Sequence, residues 1–335
     1  MNKKKKVMAL ALMAVMTIGV MAGCAKKDTA QSGTTTTPAA TETKYPEKPI
    51  QIIVPAGPGG DTDTNVRLVT KYMSKSLGQS IVVSNMEGAG GSLGTKQVMD
   101  AKPDGYTVLF FHPSVILNKI FGVTTYDFSE FEQGPLVTIE PGNALFVGKD
   151  SKFNTLKELI TFAKANPSKV NFAMENGGLS QMLGLAFEQA AGIKLNMVDI
   201  GGQAAKNTAL LGGQVDLIPG IVGISQSYIK SGDMKILGIF AGERQEAYKD
   251  VPTLKEQGVD VDITKPYYFL FPKGTPKEIV DKFSASVKTA CEDPAFAKDL
   301  EKFVIKPQYK TPADTKVLLE GARDTYQKLY DSIKK

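Results

Sequence analysis

The chain has 335 residues and a formal net charge of only +5, with 42% hydrophobic and 22% charged residues. These values are typical of a globular protein of one large or two medium domains, and they exclude global disorder, collagen and coiled coil. Residues 1–23 hold four lysines and no acid, so the remainder is nearly neutral and lacks the basic field that nucleic-acid binding needs. One histidine and two cysteines cannot supply a Cys/His metal or haem cluster.

The first residues are typical of an export signal. Lysines at positions 3–6 precede an uncharged apolar stretch, residues 7–21, that is short for a membrane-spanning helix. The small-Gly-Cys sequence at residues 22–24 resembles the lipobox of bacterial lipoproteins. By that resemblance residues 1–23 are a signal peptide, and Cys24 becomes a lipidated N-terminus that anchors the protein to the membrane. An ordinary signal peptide or an N-terminal membrane anchor is the alternative.

Residues 24–44 are predicted to form a disordered tether. They are rich in Thr, Ala, Lys and Ser and contain almost nothing to bury in a core. With Cys24 lipidated, Cys291 has no cysteine partner, so no intrachain disulfide is expected in spite of export. Cys291 is predicted to be a small core or boundary residue of an amphipathic helix.

From residue 45 on, short apolar strands alternate with amphipathic helices. The predicted strands cover residues 50–54, 81–84 and 107–111, and the predicted helices cover residues 62–77 and 92–100. This βαβ order is typical of a parallel sheet.

The alternation restarts after a strand-rich stretch at residues 136–147, where Thr155 and Glu158 predict a capping box for a helix that stops before Pro167. Further strands are predicted at residues 170–173, 194–200, 215–218, 235–240 and 267–271. Further helices are predicted at residues 180–191, 204–211 and 224–231. Two more helices are predicted to begin at Thr275-Pro276, with Thr275 as the N-cap, and near Thr311-Pro312. The order predicts an α/β fold of two lobes with a cleft between them. Lobe 1 takes residues 45–147 and 267–335, and lobe 2 takes residues 148–266.

Glycine-rich loops follow several of the predicted strands, where α/β proteins place their ligands. They are residues 55–63, 85–94, 175–180 and 199–203, and each leads into a helix. Glycine permits a close approach of backbone to ligand, and a helix N-terminus offers free N–H groups to a carboxylate or phosphate. Loops from both lobes are therefore expected to hold one small anion, although a plain turn with Asp or Thr caps would also explain residues 55–63.

No cofactor or metal is expected. A dinucleotide fingerprint beginning at Gly88 would need a glycine at the position of Leu93, and no glycine loop continues into Gly-Lys-Ser/Thr. His112 follows the third predicted strand and could lie near the cleft, where a structural role is favoured over catalysis.

A series of short motifs runs in one order from residue 45 nearly to the C-terminus. It comprises residues 45–50, the Gly-Gly-x-x-Asp loop at 59–63 with Arg67, and residues 77–79, 85–91, 102–107, 155–159, 163–167, 211–216, 251–253 and 274–276. The series resembles the substrate-binding receptors of tripartite tricarboxylate transporters, also called Bug receptors. The resemblance implies a two-lobed type II periplasmic-binding-protein fold without catalysis.

The resemblance also implies a function and a site. Such a receptor, expected to be a monomer on the extracytoplasmic face of the membrane, closes on a di- or tricarboxylate or related organic acid and delivers it to membrane permease subunits. The family holds the carboxylate mainly through backbone N–H groups, hydroxyls and water. Carried over by position, the first wall is Gly57, Gly59, Gly60, Thr62 and Asp63 with Asn85 and Ser114 nearby, and the second wall is Gly178, Ser180, Gly201, Gly202 and Asp216.

The chain departs from the family in the second lobe. Members commonly carry Pro-Tyr-Lys-Gly where residues 198–201 stand here, and they often carry a histidine near the position of Ser180. Loss of the Tyr-Lys pair and gain of Asp199 leave open a less acidic or partly amine-bearing ligand, such as an amino acid. Two other functions stay open: a ligand-sensing module for a membrane signalling partner and, less favoured, a secreted enzyme that uses His112 and a cleft carboxylate.

Overall fold

The computed structural model describes residues 44–140 and 142–334. The predicted signal peptide, Cys24 and all of the predicted tether except Lys44 lie outside these ranges. Within them, no helix combines the length and the apolar character needed to cross a bilayer.

Strands and helices alternate along most of the described chain. The strands are β1 (Ile50–Val54), β2 (Ile81–Asn85), β3 (Thr107–Phe111), β4 (Phe131–Glu140), β5 (Ala144–Gly148), β6 (Asn171–Met174), β7 (Asn196–Asp199), β8 (Ile218–Gly220), β9 (Met234–Ile239), β10 (Lys265–Pro272) and β11 (Pro307–Lys310). The α-helices are α1 (Asp61–Leu77), α2 (Ser92–Met99), α3 (Ser114–Ile120), α4 (Leu156–Ala165), α5 (Leu179–Ala191), α6 (Gln203–Leu211), α7 (Val222–Ser231), α8 (Lys277–Glu292), α9 (Pro294–Glu301) and α10 (Pro312–Ile333).

The strands form two lobes, as the sequence predicts. The first lobe contains one sheet in the order β11-β4-β10-β3-β1-β2, in which β1 pairs in parallel with β2 and β3, while β10 is antiparallel to β3 and β4. The second lobe contains the antiparallel β8-β5-β9 sheet and the parallel β6-β7 pair, which are linked by a bridge between Phe172 and Leu217. The chain leaves the larger sheet after Glu140, joins the smaller one at Ala144 and returns at Lys265. The predicted lobe limits, after residues 147 and 266, fall a few residues beyond these crossings.

The larger sheet is buried on both faces. Alternate residues of β1 belong to different cores: Ile52 lies in the cluster that includes α1 and α8, and Ile53 lies in the cluster that continues into the second lobe. The same alternation separates Phe110 from Phe111 on β3. Side chains of a strand alternate between the two faces of its sheet, so a strand that is covered by helices on both faces needs apolar residues at successive positions.

Most predicted elements are confirmed within a few residues, and Thr155 and Glu158 form the predicted capping box. Cys291 is confirmed as a half-buried residue of α8. The predicted N-cap at Thr275 is wrong: Pro276 is the N-cap of α8, and the Thr275 hydroxyl donates to the Pro272 carbonyl (2.8 Å) and so closes a turn. The predicted strand-rich stretch divides into β4 and β5, which belong to different sheets.

Three elements have no counterpart in the predictions. Helix α3 has seven residues, most of them buried, so it shows no amphipathic period. Helix α9 is a short helix directly after α8, and β11 is a four-residue strand at the sheet edge. Short elements of this kind carry too little periodicity to be recognised.

A buried carboxyl group lies where the chain first crosses between the lobes. Glu140 is 2% exposed, ends β4 opposite Lys265 on β10, and its Oε1 has no hydrogen-bond partner among the described residues. Burial, and then the charge of Asp61, raise the pKa of Glu140 to about 8. The Tyr248 side chain lines the same small cavity.

We expect Glu140→Gln to stabilise the protein in a pH-dependent way. The native carboxyl keeps its proton to a higher pH than the unfolded one, so the free energy of unfolding falls as the pH rises from about 4.5 to about 8. The neutral amide removes this loss, so the variant should melt at least about 2 °C above the parent protein at pH 8 and level with it at pH 4.5. Calorimetry at both pH values checks this, with Glu132→Gln on the same strand as control; an equal difference at both pH values would contradict it.

Candidate ligand-binding site

A cavity of about 90 Å³ lies between the lobes at the carboxyl ends of the strands. Its first-lobe wall consists of Ala56, Gly57, Gly60, Asp61, Thr62, Glu87, His112 and Ser114, and its second-lobe wall of Glu175, Leu179, Ser180, Leu183, Gly202, Gln203, Ala204, Ala205 and Lys206. Asn143 and Lys265, at the two crossings, complete it. The volume suits a small molecule with a few waters.

Three helices begin at this cavity. Helices α1, α5 and α6 have Gly60, Gly178 and Gly202 as N-caps, all in extended conformation. Because glycine has no side chain, none of these N-caps can accept a hydrogen bond from the first turn of its helix. The first-turn N–H groups of α1 and α6 and the positive ends of the three helix dipoles are therefore available to a ligand, whereas the Leu179 N–H of α5 donates to Ser114 Oγ. Such a convergence favours an anion with several acceptor lone pairs.

Two further donors in the cavity wall are buried without a hydrogen-bond partner. The Thr62 hydroxyl and the Asn143 side-chain amide each have no acceptor among the described residues, although Thr62 lies near Tyr267. Buried polar groups are nearly always paired, because an unpaired one loses its hydration without compensation. Both groups belong to residues that line the cavity and are therefore candidate donors to a ligand.

Asp61 does not repel an anion, because its charge is already compensated. Its carboxylate accepts hydrogen bonds from Lys265 and Tyr267 on β10. Burial acts to raise the pKa of Asp61, but Lys265, His112 and the two hydrogen bonds outweigh it and hold the pKa well below its usual range. The network also joins α1 to the strand that returns from the second lobe.

Asp63 and Asn85, predicted as ligand-binding residues, instead hold the loop that precedes α1. Asp63 accepts from the Gly59 N–H (3.0 Å), from Arg67 Nε (2.9 Å) and from Asn85 Nδ2 (3.0 Å). Asn85 also donates to the Ala56 carbonyl (2.9 Å). Neither side chain lines the cavity, since their hydrogen-bonding atoms are used by the loop itself.

Ser114 and Ser180 line the cavity as expected for hydroxyl ligands. Ser114 Oγ accepts from the Leu179 N–H across the lobes (3.1 Å), and Ser180 Oγ accepts from the Glu175 N–H (2.8 Å). Because each oxygen accepts, its own proton can still be donated to a ligand.

The lobes touch beside the cavity. Asn118 Nδ2 donates to the carbonyl oxygens of Gly90 (3.1 Å) in the first lobe and Gly177 (2.9 Å) in the second. A Cβ on Gly90 would lie only 2.5 Å from the Asn176 carbonyl, so a side chain there would push the lobes apart. The structure is therefore a closed arrangement.

The remaining predicted site residues divide into two groups. Gly57, Gly60, Thr62 and Gly202 line the cavity, whereas Gly59, Gly178 and Gly201 shape the loops without lining it. Asp216 lies outside the cavity. Its carboxylate accepts from the Asn171 N–H (2.8 Å) at the start of β6, and the cavity is at the opposite end of that strand.

His112 lies in the cavity wall in a neutral form. Its Nδ1 accepts from the Ser114 N–H (3.3 Å), and its ring packs against Phe111 and Tyr267. Burial, and then the charge of Lys265, lower the pKa of His112 well below its ordinary value. Asp61, a cleft carboxylate that acts on the pKa of His112, is hydrogen-bonded to Lys265 and Tyr267.

Sequence reasoning missed the charged residues of the second lobe and of the crossings. Glu175 and Lys206 line the cavity, but the prediction considered only Asp199, which is exposed and near the Asn176 N–H (3.4 Å). Lys206 follows its helix N-cap by one turn, and this spacing is a signal that would have found it. No comparable signal marks Asn143 or Lys265, because only the tertiary fold brings them to the cavity.

Comparison with known proteins agrees with this geometry. Residues 65–334 match the family model described as the tripartite tricarboxylate transporter family receptor. The chain is 35% identical over 255 residues to a UPF0065 protein in the TAR-I ttuE-ttuC' intergenic region of Agrobacterium vitis. The aligned segment covers 75% of this chain and 73% of that protein.

Solved structures show the same fold. The periplasmic binding protein BugD is 29% identical, with a TM-score of 0.81 over 86% of this chain and 98% of BugD. MatC from Rhodopseudomonas palustris with bound malate is 26% identical, with a TM-score of 0.80 over 85% of this chain and 100% of MatC. These matches confirm the predicted periplasmic-binding-protein fold.

We expect Thr62→Val to leave the free protein at least as stable as the parent protein. The change replaces an unpartnered hydroxyl with a methyl group of the same shape, so no hydrogen bond within the described chain is lost. Thr95→Val is the matched control, because the buried Thr95 hydroxyl donates to the Gly91 carbonyl (2.6 Å) and its loss should lower the free energy of unfolding by about 1 kcal/mol. Denaturant unfolding of both variants measures this; a Thr62→Val loss as large as that of the control would contradict it.

Proposed function

The chain belongs to the tripartite tricarboxylate transporter receptor family, and we propose that it captures a small organic carboxylate outside the cytoplasmic membrane and delivers it to membrane permease subunits. The observation that supports this most strongly is the convergence of three glycine-capped helix N-termini on one closed cavity. A carboxylate brings two oxygens with four acceptor sites, which is what these donors lack.

The mechanism that we propose is closure of the lobes around the ligand. In the first lobe the carboxylate receives the first-turn N–H groups of α1 and the Thr62 hydroxyl, and in the second lobe those of α6 together with Ser180. Contacts such as Ser114 to Leu179 and Asn118 to Gly177 join the lobes directly. Ligand binding then favours the closed state because only that state offers donors from both lobes.

The ligand class follows from the donors and from one relative. The MatC structure contains bound malate, and the cavity of this chain, about 90 Å³, admits only a small ligand. Asp199 lies outside the cavity wall, but Glu175 and Glu87 line it, so an acid that also carries a hydroxyl or amino group fits the wall better than a purely acidic one.

We propose that the protein works as a receptor and not as an enzyme. His112 is neutral, accepts a backbone N–H and has no hydrogen bond to a carboxylate among the described residues. Anchoring through lipidated Cys24 and action as a monomer remain proposals that rest on the sequence.

A ligand panel tests the function. Purified protein should show a higher melting temperature with one class among mono-, di- and tricarboxylates, hydroxy acids and amino acids. At 100 times its dissociation constant a ligand adds about 2.7 kcal/mol, which raises the melting temperature by at least about 2 °C. Native mass spectrometry first excludes a ligand that co-purifies, and the absence of any shift for ligand-free protein would contradict the proposal.

A further inference from the structure

The cavity contains two buried lysines, which differ in their partners. Lys265 is 8% exposed and donates to Asp61. Lys206 is 6% exposed, lies one turn into α6, and its ammonium group has neither a hydrogen bond nor an ion pair among the described residues. An ammonium group enclosed in this way loses much of its hydration without gaining an ion pair.

The charged and titratable groups around Lys206 do not supply that counter-ion. They come from separate elements of both lobes: Glu175 after β6, Asp61 on α1, Lys265 on β10, His112 after β3 and Glu87 after β2. Asp61 is bound to Lys265 and Tyr267, and His112 is neutral. Glu175 attracts Lys206 from a distance without forming an ion pair, and the side chain of Glu175 has no hydrogen bond within the described chain.

Resting on the carboxylate-receptor function proposed above, we propose that Lys206 is the direct counter-ion of the bound carboxylate and that it couples ligand capture to uptake of one proton. In the empty site, at and above about pH 8, a large part of the protein carries Lys206 as a neutral amine. When the anion binds, the amine nitrogen Nζ takes a proton from the buffer, and the resulting ammonium donates to the carboxylate.

The electrostatics of the empty cavity place this coupling in an accessible pH range. Burial lowers the pKa of Lys206 to about 8, although the charge of Glu175 acts against this shift. A contacting carboxylate raises the pKa again, because an opposite charge favours the protonated form. Affinity for the carboxylate should therefore fall by up to about tenfold for each pH unit above about 8.

The experiment is calorimetric titration with the carboxylate of the panel that raises the melting temperature most. Titrations in buffers of different ionisation enthalpy give the number of protons taken up per ligand. The parent protein should take up more than about half a proton at pH 8.5 and close to none at pH 6.5.

Three variants assign the proton to Lys206. Lys206→Met should lose the uptake and bind at least about tenfold more weakly at pH 7. Lys206→Arg should bind without uptake at either pH, because a guanidinium keeps its proton. Glu175→Gln should move the onset of uptake to a lower pH, since it removes the charge that helps to hold Lys206 protonated. Lys157→Met, which changes an exposed lysine of α4, should behave like the parent protein.

The outcomes separate this inference from the function on which it rests. Carboxylate binding without proton uptake at pH 8.5, or with equal uptake in the parent protein and Lys206→Met, would overturn the role of Lys206 and leave the receptor function standing. A ligand-free protein that binds no carboxylate of the panel would overturn both. Thermal unfolding of each free variant shows whether it is folded, and the Arg and Gln variants keep the test valid if the Met variant is not.

Discussion

Hydrogen-bond donors that are enclosed between two lobes without an acceptor are the constraint on which the rest of the structure depends. The N-caps of α1, α5 and α6 are glycines, so no N-cap side chain satisfies the first turns of these helices. Thr62 and Asn143 add two more buried donors at the same place. A closed cavity of this kind is stable when an anion completes it, which links the fold directly to ligand capture.

The charges of the site are divided between structure and recognition. Lys265 and Tyr267 compensate Asp61, and Arg67 together with the loop engages Asp63, so two carboxylates near an anion site do not oppose the anion. Lys206 has no hydrogen bond or ion pair within residues 44–140 and 142–334. A ligand therefore meets the Lys206 ammonium together with two carboxyl groups of the wall, those of Glu87 and Glu175.

Local features of the fold could be predicted from the sequence, whereas features made by tertiary contacts could not. Glycine loops and apolar periodicity located β1, α1 and most later elements, and the motif series identified the fold. Asp63 was predicted as part of the ligand wall because its position in a ligand loop does not reveal that its oxygens hold that loop. Asn143 and Lys265 were missed because they reach the cavity only when the chain crosses between the lobes.

A crystal structure of the protein with the carboxylate that stabilises it most would test the central claim directly. The account predicts carboxylate oxygens within hydrogen-bond distance of the first-turn N–H groups of α1 and α6, of the Thr62 hydroxyl and of Lys206 Nζ. A carboxylate bound elsewhere, for example beside Asp216, or held in the cavity with these donors still unpaired, would contradict it.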